Sequence, residues 1–266
     1  MPYVSNPKLN MNNLPKISAI IITKNEENNI DDCLASIAWC NEIVIIDSGS
    51  TDNTIELCRK YTDKIIVTDD WPGFGLQKNR ALEIATNEWV LSIDADERVS
   101  AKLAQEIKQT ITNCKEFAFR IPRESSYCGR FIKHSGWSPD YVIRLFKRDS
   151  AHFSDDIVHE KVEVLKGDIG TFKSPLRHYP FNSIEEVLDK INSYSTSNAL
   201  KHYRSGKKSS LSKAIFHGAW AFFRAYILRA GFLDGQEGFI LAISSAEVSY
   251  YRYIKLMYLQ RKHVKH

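Results

Sequence analysis

The chain's 266 residues, 43% apolar and 26% charged, suffice for one large domain, or for one with an appendage, and exclude a disordered chain. The net charge of +4 is uneven: residues 201–266 carry 12 Lys and Arg against Asp234, Glu237 and Glu247, so +9, which leaves −5 for the rest. A mildly acidic body with a basic tail points to an anionic partner at the tail, either a membrane surface or nucleic acid.

Residues 1–16 are polar, lack an apolar core of the kind a secretory leader needs, and read as an N-terminal arm. Ile17 to Ile22 is a continuous apolar run, which predicts a strand buried on both faces of a parallel sheet. A helix follows over about 26–38, with Ile30, Cys33, Leu34 and Ile37 on one face. Ile43 to Ile46 reads as the second strand, closed by the Gly-containing turn Asp47 to Asp52 and a helix from Thr54 to Tyr61. Lys64 to Val67 is a third strand, Leu76 to Ala85 a helix, and Trp89 to Ile93 a fourth strand. That strand ends in Asp94-Ala95-Asp96-Glu97, before a helix at about 101–112. The alternation is that of βαβ units and predicts an α/β fold: a Rossmann-like, mostly parallel sheet with helices on both faces. Beyond it, Phe117 to Ile121 and Tyr141 to Phe146 read as strands, and 153–165 holds Asp155, Asp156, His159 and Glu160. From Ser183 the pattern is helical, over about 183–203, 209–230 and 236–260, punctuated by Gly206, Gly231 and Gly235. No apolar run approaches the roughly 20 residues that span a bilayer. The five cysteines are odd in number and show no metal spacing, as in a cytoplasmic protein with reduced thiols.

In open α/β sheets ligands bind at the carboxyl ends of the strands. Polar residues gather there: Thr23, Asn25 and Glu26 after the first strand, Asp47 after the second, Asp94 and Asp96 after the fourth. Two carboxylates one residue apart suit a hard divalent cation, Mg²⁺ or Mn²⁺, shared with a substrate diphosphate; the plain alternative is a solvated acidic turn. Gln77, Lys78 and Asn79 open a helix, where N–H groups and a cation favour phosphate or sugar oxygens.

In this order and spacing, Ile20-Ile-Ile-Thr23-Lys-Asn25-Glu26, Ile45-Ile-Asp47-Ser-Gly-Ser-Thr-Asp52, Gln77-Lys78-Asn79 and Asp94-Ala-Asp96 resemble glycosyltransferase family 2, inverting nucleotide-sugar transferases of the GT-A fold. The resemblance covers about 17–180 and implies a catalytic domain over 17–181, with a C-terminal basic and aromatic helical region over 182–266. A later stretch, Gly231-Phe-Leu-Asp-Gly235-Gln-Glu-Gly238, is similar to a narrower branch that holds the lipopolysaccharide inner-core glucosyltransferases. By resemblance, Thr23, Asn25, Glu26 and Asp47 line a uridine pocket, joined by Gln77, Lys78, Asn79 and Asp94 around the sugar nucleotide. Asp96 is the expected direct metal ligand, with Asp94 and His178 beside it. An inverting transfer also needs a base, and Glu160 stands in the expected place, with Asp156 and His159 as alternatives. Many relatives carry Asp there, so the Glu beside His159 is a departure.

Arg130, Lys133, Trp137 and Arg144 crowd the variable half and are read as acceptor contacts, Trp137 by stacking on a sugar and the bases by meeting phosphates. The expected function is therefore hexosyl transfer, glucose first, from a UDP-sugar to a lipopolysaccharide-core or other lipid-linked saccharide. A different donor or acceptor on the same scaffold is the alternative. Bases and aromatics interleaved in the last helices suit peripheral contact with an anionic membrane, at the cytoplasmic face of the inner membrane. A nucleic-acid binder would explain the basic tail but not the acidic strand ends. A nucleotidylyltransferase would need a Gly-rich loop where Thr23-Lys-Asn-Glu26 stands.

Overall fold

The computed structural model describes residues 15–155 and 160–263. In chain order they form β1 (Ile17–Thr23), α1 (Ile30–Ile37), β2 (Glu42–Asp47), α2 (Thr54–Cys58), β3 (Ile65–Val67), α3 (Phe74–Ile84), β4 (Trp89–Ser92), β5 (Glu97–Val99), α4 (Ala101–Thr110), β6 (Ala118–Tyr127) and β7 (Arg130–Phe131). β8 (Tyr141–Lys147), β9 (Ala151–Phe153), β10 (Val162–Val164), β11 (Ile169–Thr171), β12 (Leu176–His178), α5 (Ile184–Arg204), α6 (Leu211–Phe223) and α7 (Gly235–His263) follow. These elements fall into two compact units. The first holds the residues up to Pro122 with Tyr141–Arg177, the second Arg123–Asp140 with the residues from His178 onward.

The first unit is built on a sheet of order β3-β2-β1-β4-β8-β6-β12-β5. β3, β2, β1 and β4 run parallel, while β8 is antiparallel to both β4 and β6. This is the α/β arrangement expected from the sequence, with a mixed rather than uniformly parallel second half. Successive strand residues face opposite sides of the sheet. Ile17, Ala19 and Ile21 pack with Leu34 of α1 and Leu103 of α4, whereas Ile20 packs with Val44, Ile46 and Ala81 of α3. Both faces are covered, which is why β1 reads as an unbroken apolar run. Each fully buried Ile or Leu there contributes about 1.5–3 kcal/mol before conformational entropy is charged against it.

Besides the short β7 and β9 to β12, none of which the sequence pattern predicts, two strands depart from the expected elements. β5 inserts between the acidic turn and α4, whose start is fixed by Ser100 accepting from the Leu103 amide at 3.2 Å. β6 runs on past Ile121 because its backbone pairing continues through Pro122↔Tyr141, where Pro122, Arg123 and Glu124 end the apolar pattern.

In the second unit the end of β6 pairs with β7, and Tyr127, Ile132, Val187, Ile191 and Leu241 form the core. Ser183 caps α5 by accepting from the Glu186 amide at 3.2 Å, and the Glu186 carboxylate accepts from the Asn182 amide at 2.8 Å. The helix expected over 209–230 is shorter: α6 ends at Phe223, a π turn spans Arg224–Leu228, and Ala230 adopts a left-handed φ of 53°.

Candidate functional site

The register places the strand ends on one rim. Thr23 pairs with Asp47, and the Ile93 amide donates to the Ile20 carbonyl at 3.1 Å, so β2 and β4 flank β1. Asp47 and Asp94 therefore end strands about 10 Å apart, two strand spacings.

On the β1–β2 side the loops are tied to each other. The fully buried Asp47 carboxylate accepts from the Thr23 hydroxyl at 2.9 Å, the Ser50 amide at 2.7 Å and the Ser50 hydroxyl. Asn25, at a left-handed φ of 55°, donates its amide to Ser50 Oγ and accepts from the Thr51 amide through Oδ1, both at 2.8 Å. The Glu26 amide donates to Thr54 Oγ1 at 2.7 Å. A short polar side chain is what lets a non-glycine residue hold the turn at Asn25. Ser50 is the hub that motif reading passed over, and the only trace of it was its place in the Asp47-to-Asp52 turn.

α3 brings three expected site residues to different tasks. Gln77, fully buried, donates to Ser48 Oγ at 2.9 Å and Thr68 Oγ1 at 2.6 Å, and accepts from Arg80 at 2.9 Å. Its amide fastens α3 to the ends of β2 and β3. Asn79 grips the Phe153 backbone, donating to its carbonyl and accepting from its amide, both at 2.9 Å. Lys78 points into a cluster of charges: its Nζ is 2.9 Å from Asp94 Oδ1 and 2.7 Å from Glu160 Oε1. Gly75 makes the approach possible, because a Cβ there would sit 1.9 Å from the Ser154 carbonyl oxygen.

The cluster continues through Arg144, which is 7% exposed. Its Nη2 donates to Asp94 Oδ2 and, at 2.8 Å, to Glu97 Oε1. Glu97 is fully buried, and its other oxygen accepts from the Asp94 amide at 3.1 Å. Burial works against ionisation of Asp94, but Arg144 and Lys78 outweigh it and hold the carboxyl well below the usual carboxylate range. Burial likewise disfavours charge on Arg144, and Asp94 and Glu97 reverse the effect and raise it. Glu97 was not singled out from the sequence, since its partner lies 47 residues away. Arg144, expected on the acceptor side, is engaged with these two carboxylates. Asp96 is half-buried, two positions beyond Asp94.

Asp156 and His159 lie outside the described residues. His178, Arg130, Lys133 and Trp137 belong to the second unit. There His178 Nδ1 is 2.8 Å from Ser125 Oγ, and Arg130 pairs with Glu237 at 3.3 Å. Lys133 is exposed, and Trp137 stacks on Phe181 with centroids 6.1 Å apart. Asp234 accepts from the amides of Lys133 at 3.1 Å and His134 at 2.8 Å, which ties the Gly231-to-Gly238 stretch to the loop of basic residues. Among the described residues no three His, Cys, Asp or Glu side chains converge as a metal-ligand group.

The family model for glycosyl transferase family 2 matches residues 18–162. An uncharacterised glycosyltransferase of Rickettsia typhi is 32% identical over 261 residues, covering 94% of this chain and 89% of that protein. The lipopolysaccharide core biosynthesis glycosyltransferase LpsC of Rhizobium meliloti is 33% identical, covering 88% of this chain and 89% of its own. Among solved structures, TarS of S. aureus matches with a TM-score of 0.49 at 17% identity, covering 92% of each chain.

Proposed function

The chain belongs to glycosyltransferase family 2, and from that we propose that it moves a hexose, glucose first, from a UDP-sugar to a lipopolysaccharide-core or other lipid-linked saccharide, with inversion. The observation that carries the reading is the cluster around Lys78. It unites Asp94, from the donor-side motif, with Glu160, from the expected base position, across 66 residues of chain. The 33% identity to a lipopolysaccharide core glycosyltransferase supports the acceptor class.

In the proposed reaction the acceptor hydroxyl gives its proton to the Glu160 carboxylate as its oxygen bonds to the anomeric carbon. The bond from that carbon to the UDP oxygen breaks, and UDP leaves with the electron pair. Thr23, Asn25, Glu26 and Asp47 hold the nucleoside end, on loops already fixed by Ser50. Lys78 keeps the Glu160 and Asp94 side chains together, and Arg144 positions Asp94. Arg130, Lys133 and Trp137 are assigned to the acceptor, whose phosphates suit the first two.

The residues fit a divalent ion of the Mg²⁺ or Mn²⁺ kind. Such an ion takes one or two protein carboxylates and fills its shell with substrate phosphates and water. Asp96 offers that carboxylate, with Asp94 already shared between two cations. When bound, the ion would neutralise charge on the departing diphosphate. Free thiols at all five cysteines and a basic C-terminal region accord with a place at the cytoplasmic face of the inner membrane.

The test is Glu160→Gln. UDP-glucose should bind as in the parent while transfer to a heptose-terminated core acceptor falls at least about a hundredfold, the range of a general base. Undiminished transfer would remove Glu160 as the base and pass the role to Asp156 or His159. A response to a guanosine sugar nucleotide alone would change the donor.

A further inference from the structure

Residues 190–233 hold eight Lys and Arg and no Asp or Glu. Within this segment, Phe216, Trp220, Phe223 and Ile227 follow one another at i, i+4, i+7 and i+11, a single face of α6 and the π turn behind it. They are 66%, 46%, 44% and 45% exposed. The opposite side of the same helix is buried through Ala214, Gly218 and Ala225, and a Cβ on Gly218 would lie 3.2 Å from Tyr250 of α7. The helix thus buries its small residues and turns its largest apolar ones outward, the reverse of what a core alone requires. Leu228 and Leu233, in the π turn and the short turn after it, are also more than half exposed. A contiguous patch of this kind marks a site of interaction.

Charge decides the occupant. Lys207, Lys208, Lys213, Arg224 and Arg229 are all exposed. A second copy docked through this face would set one cationic segment against another, and like charges across an interface are costly. A nucleic acid would meet the cations and leave four large apolar side chains in water. An anionic bilayer satisfies both, since acyl chains receive the apolar stripe and headgroup phosphates the Lys and Arg beside it. Among the described residues no helix is long and apolar enough to cross a membrane, which leaves contact in the plane of the surface.

We propose that α6 and its π turn are a docking face for an anionic lipid bilayer, with Phe216, Trp220, Phe223 and Ile227 entering the headgroup–acyl boundary. The inference gives a defined surface to the membrane contact in the proposed function and rests on that reading. The test is co-sedimentation of the full chain with vesicles of phosphatidylcholine alone, or of phosphatidylcholine and phosphatidylglycerol in equal parts. The mixed vesicles should bind the chain and the neutral ones bind it at least about tenfold less, with binding falling as salt rises. Phe216→Ser combined with Trp220→Ser should lower binding to mixed vesicles by about tenfold or more while leaving the thermal midpoint unchanged, because both side chains are exposed. No binding to mixed vesicles, or equal binding by the variant, overturns the proposal. So does a dimer of the parent that the same variant dissociates, which would assign the face to a second copy. Loss of vesicle binding with the response to UDP-glucose retained would sink the docking face alone, and the reverse would sink the transferase reading alone.

Discussion

Arg144→Met removes the cation from between two carboxylates. Glu97 is fully buried, and its Oε1 has its guanidinium partner at 2.8 Å, so the substitution takes away the cation that compensates a desolvated charge, while the Asp94 amide stays at 3.1 Å from its other oxygen. Deleting one member of a buried ion pair costs about 3–5 kcal/mol. For a chain of this size each kcal/mol moves the midpoint by about 2–4 °C, so the variant should melt roughly 10 °C below the parent at neutral pH. Combining Arg144→Met with Glu97→Met should recover most of that loss, since a pair replaced by apolar groups is often neutral. The pH dependence follows from Asp94, whose carboxyl Arg144 and Lys78 depress in the folded chain. A depressed carboxyl stabilises the fold fully above its unfolded-state pKa, about 3.9, and loses that contribution as pH falls through the folded value. The gap between parent and variant should therefore hold from neutrality to about pH 5 and narrow below about pH 4. Denaturant melts across that range supply the measurement. A single variant within about 1 kcal/mol of the parent, or strictly additive effects in the double variant, would show that Arg144 does not compensate a buried charge.

Gly75→Ala should drive the Ser154 carbonyl away from α3, since the new Cβ would lie 1.9 Å from it. Displacing the segment that carries Glu160 should cut kcat about tenfold to a hundredfold in a UDP-release assay, and unchanged turnover would separate that segment from the chemistry. Ser50→Ala removes a donor to buried Asp47 and should cost about 1–3 kcal/mol in chemical denaturation and weaken UDP binding; a neutral result on both would deny Ser50 its role as hub. Burial opposes ionisation of Glu42, but Lys64, Ser18 and Thr86 outweigh it and lower its carboxyl to about 2. The side chain is only 6% exposed, so its stabilisation should be present above about pH 4.5 and drain away toward pH 2. Glu42→Gln should abolish that part of the acid transition, and an unaltered acid limb would contradict it.

Most of the sheet was legible because its signals are local. Ile17 to Ile22 announces a strand covered on both faces, and the parallel order explains why the polar residues after β1, β2 and β4 lie on one rim. What escaped depends on partners distant in the chain. Glu97 reads as one more acid in a turn until Arg144 is set beside it, and that pairing spans two strands. Gln77 reads as a ligand residue at a helix start, yet its amide is engaged with Ser48 and Thr68, whose hydroxyls give no sequence signal of that task. β6 outruns its apolar pattern because backbone pairing, not side-chain burial, continues it through Pro122. The π turn after Phe223 interrupts a helical periodicity that the sequence carries on unbroken.

The proposed transfer requires the acidic strand ends to hold a cation-bound uridine nucleotide. The most direct measurement is calorimetric titration of UDP-glucose into the parent and into Asp96→Ala, each with and without Mn²⁺. Binding to the parent that requires the ion, and that is lost in Asp96→Ala, is the expected result. Failure of any uridine nucleotide to bind the parent, or equal binding by both proteins, would contradict the claim.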